Sequence, residues 1–198
     1  MDIINYEYYI LNPKGLNKIK KLDWTQLWIK KIDYILDCYN RIKGKYKIID
    51  ESIDYYIAMW ENGLFQLKEW SNYYNYAFSQ HVIIFYENFF DYNCYKVDVK
   101  ERDLSEYIKY MFFKNDYNIN YIYSLVEKSI DEFNYYLVVA RLLFPSYYIY
   151  YLEKVFVYNE DYNVLEKIIN RTSEYEEFLK KIVDKINQHL TKKIVLPF

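Results

Sequence analysis

The chain has 198 residues and a mass of 24.7 kDa, inside the usual one-domain range and long enough to bury about 70 % of its unfolded surface. Lys plus Arg number 26 against 28 Asp plus Glu, for a net charge of -2 and a pI near 5.8, which excludes the chain-wide basic footprint of a nucleic-acid binder. Hydrophobic residues reach 53 % while the mean hydropathy is only -0.34, because 28 residues are tyrosine, and no apolar run approaches the ~18 residues of a membrane span.

Residues 1–22 form an N-terminal arm. An aromatic stretch from Tyr6 to Leu11 precedes Asn12-Pro13-Lys14-Gly15, a turn signal in which Pro fixes φ and Gly permits any. Asp23 opens the clearest helix, with Gln26 completing a capping box and Gly44 just past its end. Trp24, Leu27, Trp28, Ile32, Ile35, Leu36, Tyr39 and Ile42 form its apolar stripe. A second helix is expected from about Asp50 to Trp70, facing inward through Ile53, Tyr56, Ile57, Trp60, Leu64 and Leu67, with Gly63 its weak interior point.

The pattern then changes. Gln80 to Phe90 is dominated by the β-branched and aromatic run Val82-Ile83-Ile84-Phe85, and Tyr95 to Val99 is a second extended candidate, so a small hairpin is expected. Helix resumes at Asp103, read as a cap with Glu106 three residues on, and further helices follow at about 118–130, 132–143, 146–157, 162–170 and 173–188. Pro145 enforces the break after Phe144, because proline cannot donate into a helix and disfavours the α region for the residue before it. Thr172 or Ser173 is the expected cap of the last helix, and the tail from Ile194 to Phe198 is extended and packed on the body. The expected fold is therefore mainly α with a small β-hairpin, organised as the arm, 1–22, and one helical domain, 23–198.

Chemistry-bearing motifs are sparse. Gly15, Gly44 and Gly63 are too far apart to build a phosphate-cradling loop, and no GxSxG nucleophile elbow occurs. His81 and His189 are the only imidazoles and neither stands at i, i+4 from another ligand, so no metal site or cofactor is expected. Cys38 and Cys94 read as core thiols of a reducing compartment. The N-terminus shows no basic segment followed by an apolar core, and cytoplasmic synthesis is expected. Charge is uneven: between Lys14 and Lys47 stand ten basic residues against Asp23, Asp33 and Asp37, a docking face for an acidic partner or the wet side of amphipathic helices. The tyrosine excess has two explanations as well, a sticky or cross-linkable surface, or the codon bias of an AT-rich genome.

One segment has the layout of a reaction centre. His81-Val82-Ile83-Ile84-Phe85-Tyr86-Glu87-Asn88 is followed by Lys96-Val97-Asp98 and then by Asp103-Leu104. This resembles the catalytic region of aminoglycoside and choline phosphotransferases, where an aspartate receives the proton of the attacking hydroxyl and a later Asn and Asp hold magnesium. His81 matches, Asn88 and Asp98 stand at the metal-ligand positions, and Asp103 matches the start of the next helix. The base position holds Ile83 and the preceding glycine is Val82.

Further on, Ala140-Arg141-Leu142-Leu143-Phe144-Pro145-Ser146-Tyr147-Tyr148, Ser173-Glu174-Tyr175-Glu176-Glu177-Phe178-Leu179 and the terminal Leu196-Pro197 resemble the C-terminal portion of bacterial spore coat proteins of the YutH/CotS type, kinase-like relatives of those phosphotransferases. The resemblance runs over residues 23–198. It implies the helical carboxyl lobe of a protein-kinase-like fold, with His81, Ile83, Asn88 and Asp98 as degenerate catalytic-loop positions. Asp103, Arg141, Phe144 and Pro145 become a structural motif, with Arg141 pairing a buried carboxylate such as that of Asp103. The departure from that pattern at Ile83, which cannot take a proton, leads to the expectation of no enzymatic activity and of a structural or interaction role among other proteins, coat components included. The alternative it leaves is a small-molecule phosphotransferase completed by a separate nucleotide-binding lobe.

Overall fold

The structure is a computed structural model, and it describes residues 24–73, 79–83, 95–129, 134–158 and 162–198. Helix α1 spans Trp24–Ile42 and α2 spans Lys47–Tyr73. Strands β1, Ser79–Ile83, and β2, Tyr95–Val99, follow, and then α3, Lys100–Phe113, and α4, Ile119–Ser129. The chain closes with α5, Tyr135–Leu143; α6, Ser146–Tyr158; α7, Asn163–Asn170; and α8, Thr172–Ile186. The mainly helical expectation holds, with one two-stranded antiparallel sheet. The arm 1–22, Asp23, Cys94 and the segment around Asn88 lie outside the described residues.

Helix α5 is the centre of the molecule. All nine of its residues are buried, including Arg141, as expected for a helix that is apolar on every side. Helices α2 and α3 both pack on it, and α8 touches it from a third direction. The α2 crossing is close because of Gly63: a Cβ there would stand 3.0 Å from the Ala140 carbonyl and 3.4 Å from Leu143 Cβ. The glycine that read as a weak point in α2 is thus the place where two helix backbones approach.

Helix ends follow local chemistry. Gly44 ends α1 at φ 82, and its N–H donates to the Asp50 carboxylate at 3.1 Å. Asn115, at φ 57, ends α3, with the Asp116 N–H reaching back to the Met111 carbonyl at 3.0 Å. Asn118 opens α4 by accepting the Asn120 N–H at 2.9 Å. The tail is tied down as expected: Asn187 clasps the backbone of Ile194 through both its amide nitrogen and its oxygen, each at 2.8 Å.

Three expectations are corrected. Helix α3 begins at Lys100, directly out of β2, so Asp103 and Glu106 stand inside it and not at its start. The last helix is entered through Arg171 with no side-chain cap, and the Thr172 hydroxyl instead donates back to the Ile169 carbonyl at 2.7 Å. Leu27, placed in the inward stripe of α1, is 51 % exposed; Trp24, Trp28, Ile32, Ile35 and Tyr39 are buried as expected.

Candidate functional site

The hairpin carries three of the four degenerate catalytic positions. In its register His81 faces Val97, Ile83 faces Tyr95, and Asp98 faces Gln80. His81 and Asp98 therefore sit on adjacent rungs, and Ile83 stands three rungs from Asp98, about 10 Å along the ribbon. Asn88 lies outside the described residues, so its place relative to Asp98 is not part of this geometry.

The structural motif gathers a second cluster, which sequence reasoning missed. Phe144 leaves α5 in an extended conformation, φ -67 and ψ 113, as Pro145 requires. Its ring stacks on Trp28 with centroids 4.6 Å apart and meets Trp60 edge-on at 4.9 Å. Its carbonyl, freed by the break, accepts from Lys109 Nζ at 2.8 Å. Lys109 also donates to Glu106 Oε1 at 3.0 Å and to Ser146 Oγ at 2.9 Å. Ser146 Oγ in turn donates to Glu106 Oε2 at 3.0 Å.

All three ammonium hydrogens are thus used inside the protein, and Lys109 is 2 % exposed. Burial pushes its pKa down to about 8, against the opposing pull of the Glu106 carboxylate. The signal that could have found it is the i, i+3 spacing of Glu106 and Lys109, but that pair is most often a solvated one.

Beside this cluster lies a cavity walled by Tyr56, Pro145, Ser146, Tyr148 and Tyr175, with about 20 Å³ of free space, enough for one water. Four of the five tyrosine hydroxyls around it are spent on protein partners: Tyr55 on Glu176 at 2.7 Å, Tyr56 with Thr172 at 2.8 Å, Tyr148 with Ser52 at 3.1 Å, and Tyr175 on the Leu142 carbonyl at 2.8 Å. Burial raises the pKa of all four, that of Tyr56 to about 12. The arrangement braces helices; it has little room for a substrate.

Arg141 is 4 % exposed and lies over the indoles of Trp24, 4.4 Å to the ring centroid, and Trp28, 5.3 Å. The Asp103 side chain expected to pair it lies outside the described residues. His189 is half-exposed, 3.4 Å from Glu127. In the basic stretch, Lys31 pairs with Glu153, Arg41 with Asp37, and Lys47 with Glu51, so part of its charge is spent locally.

Among the described residues no group of three or more His, Cys, Asp or Glu is placed to hold a metal ion, and no helix is long and apolar enough to cross a membrane. A family model described as "Spore coat putative kinase YutH" matches residues 8–182. Two of the three segments that carried the resemblance, Ala140–Tyr148 and Ser173–Leu179, fall within the match; it begins inside the arm, at residue 8, and ends before Leu196-Pro197. No curated protein and no solved structure matches the chain.

Proposed function

The chain belongs to the YutH family of spore coat proteins, and from that premise we propose that it is a non-catalytic, kinase-like helical domain with a structural or interaction role in a spore coat. The observation that carries this reading is Ile83. In phosphoryl transfer a carboxylate at that position orients the attacking hydroxyl and takes its proton. A branched hydrocarbon offers no lone pair for either task.

The rest of the site supports the same reading. The buried cation nearest a cavity, Lys109, has all its donors committed to Glu106, Phe144 and Ser146, and the cavity beside it has room for one water. A satisfied, enclosed network of this kind fixes one arrangement of helices, which suits a building block more than a reaction vessel.

The rival reading, a small-molecule phosphotransferase completed by a separate nucleotide-binding lobe, draws on Asp98 and Asn88 as magnesium ligands and on Asp98 standing one rung from His81. Thermal unfolding with and without magnesium and ATP separates the two. The proposal expects an unchanged Tm. The rival expects a rise of several degrees, because a ligand at about 100 times its Kd adds about 2.7 kcal/mol.

A further inference from the structure

An open groove of about 480 Å³ lies between the end of α3, the outer side of α6, and α7 with the turn that follows it. Its volume is that of a ligand or peptide site, far above the water-sized cavity beside Lys109. Three cations line it, Lys114, Lys167 and Arg171, and among the described residues none that lines it is acidic. Three rings supply its apolar wall, Phe113, Tyr147 and Tyr151.

The cations are placed differently from those of an ordinary wet surface. Arg171 is held rigidly: Nη1 and Nη2 donate to the Phe113 and Phe112 carbonyls at 3.2 Å each, Nε donates to Glu174 at 2.9 Å, and the guanidinium lies 4.3 Å from the Phe112 ring centroid. A guanidinium has five N–H donors, so two remain after these three bonds. Lys114 and Lys167 are exposed on either side. Two of the rings brace each other, Phe113 and Tyr147, which stack at 4.5 Å. The groove thus combines one pre-positioned cation, two exposed ones and a rigid aromatic wall.

We propose that this groove docks an acidic, aromatic-bearing peptide segment of a partner protein. Carboxylates of the segment meet Lys114, Lys167 and the free edge of Arg171, while its ring packs on Tyr147 and Tyr151. Rigid aromatic walls of this kind give contact area at low entropy cost. A peptide is favoured over a nucleic acid because three cations in a chain of net charge -2 make a weak phosphate track. A peptide is favoured over a small anion because the groove is open and its rim reaches Val164, which is 40 % exposed. The inference deepens the interaction reading above and rests on it.

Fluorescence anisotropy with labelled synthetic peptides tests it on the full chain, using alternating Glu and Tyr, Glu alone, and alternating Lys and Tyr. The Glu-Tyr peptide is expected to bind at least about tenfold tighter than either control, and more weakly as salt rises. Lys167→Glu and Lys114→Glu, both exposed, are expected to weaken it about tenfold with Tm unchanged, and Tyr151→Ala to erase the preference over Glu alone. Equal binding of all three peptides, indifference to both lysine reversals, or displacement by inorganic phosphate or a single-stranded oligonucleotide would overturn the proposal. None of those outcomes bears on ATP binding, which tests the non-catalytic reading separately.

Discussion

The Tyr175 hydroxyl donates to the Leu142 carbonyl at 2.8 Å, joining two of the three segments by which the chain resembles its family. A helix leaves its last carbonyls without intrahelical partners, and α5 ends inside the core, where water cannot serve them. Tyr175 takes the carbonyl of Leu142 and Lys109 takes that of Phe144. The separation in sequence between the Arg-Leu-Leu-Phe-Pro and Tyr-Glu-x-Phe-Leu segments thereby acquires a physical meaning: the second closes the helix that the first ends.

Lys109→Met should cost about 3–5 kcal/mol, because it strands the Glu106 carboxylate, itself 8 % exposed, in the core. Glu106→Gln combined with Lys109→Met should cost clearly less than the sum of the single changes, since neither variant then leaves a lone charge. Denaturant unfolding of the four proteins checks this, and strict additivity would show that the pair is not coupled.

Alkaline pH should act on stability in two opposed ways. The Lys109 pKa is lowered in the fold to about 8 from an ordinary value near 10.5, so across that window the unfolded chain binds the extra proton and this group's contribution to stability rises with pH. The gap in Tm between the native chain and Lys109→Met should widen from pH 8 to pH 10. For Tyr55, Tyr56, Tyr148 and Tyr175 the pKa is raised, so above about pH 10 the fold keeps protons that the unfolded chain releases, and stability falls. Tyrosinate absorbance of the native protein should accordingly lag behind that of the denatured chain. Coincident titration curves would contradict the burial of these rings.

Gly63→Ala would stabilise an exposed helix by about 1 kcal/mol. Here the new methyl meets the Ala140 carbonyl at 3.0 Å, backbone that cannot rotate away, and the net effect should be a loss of about 1 kcal/mol or more. A higher melting temperature for the variant would show that α5 yields.

Arg141→Ala should lower Tm through lost stacking on Trp24 and Trp28, and Arg141→Lys should rescue little, because an ammonium lacks the flat face that lies over the two indoles. An unchanged Tm for the alanine variant would count against the bracing role.

Much of this fold was legible in the sequence because its punctuation is strong. Pro145 and Gly44 end their helices where their chemistry requires, and the hairpin strands were betrayed by the β-branched run at Val82-Ile83 and by Tyr95 to Val99. The interior of the site was not legible. Glu106 and Lys109 carry the pattern of a wet helix face, and only the tertiary position of the Phe144 carbonyl turns them into a buried pair. Gly63 was read by propensity as a defect, because closeness to α5 leaves no trace in a single helix's sequence. The tyrosine count was equally silent on placement: Tyr39, Tyr56, Tyr107, Tyr135, Tyr136, Tyr148 and Tyr175 are core residues, while Tyr34, Tyr117, Tyr158 and Tyr162 are exposed.

The most direct test of the central claim is ATP turnover by the full chain with magnesium and candidate alcohol or amino-sugar acceptors, run beside Asp98→Asn. With Ile83 at the base position, ADP should form no faster than in buffer, for the native chain and the variant alike. ADP formation by the native chain that disappears in Asp98→Asn would contradict the account and establish the hairpin as a working phosphotransfer site.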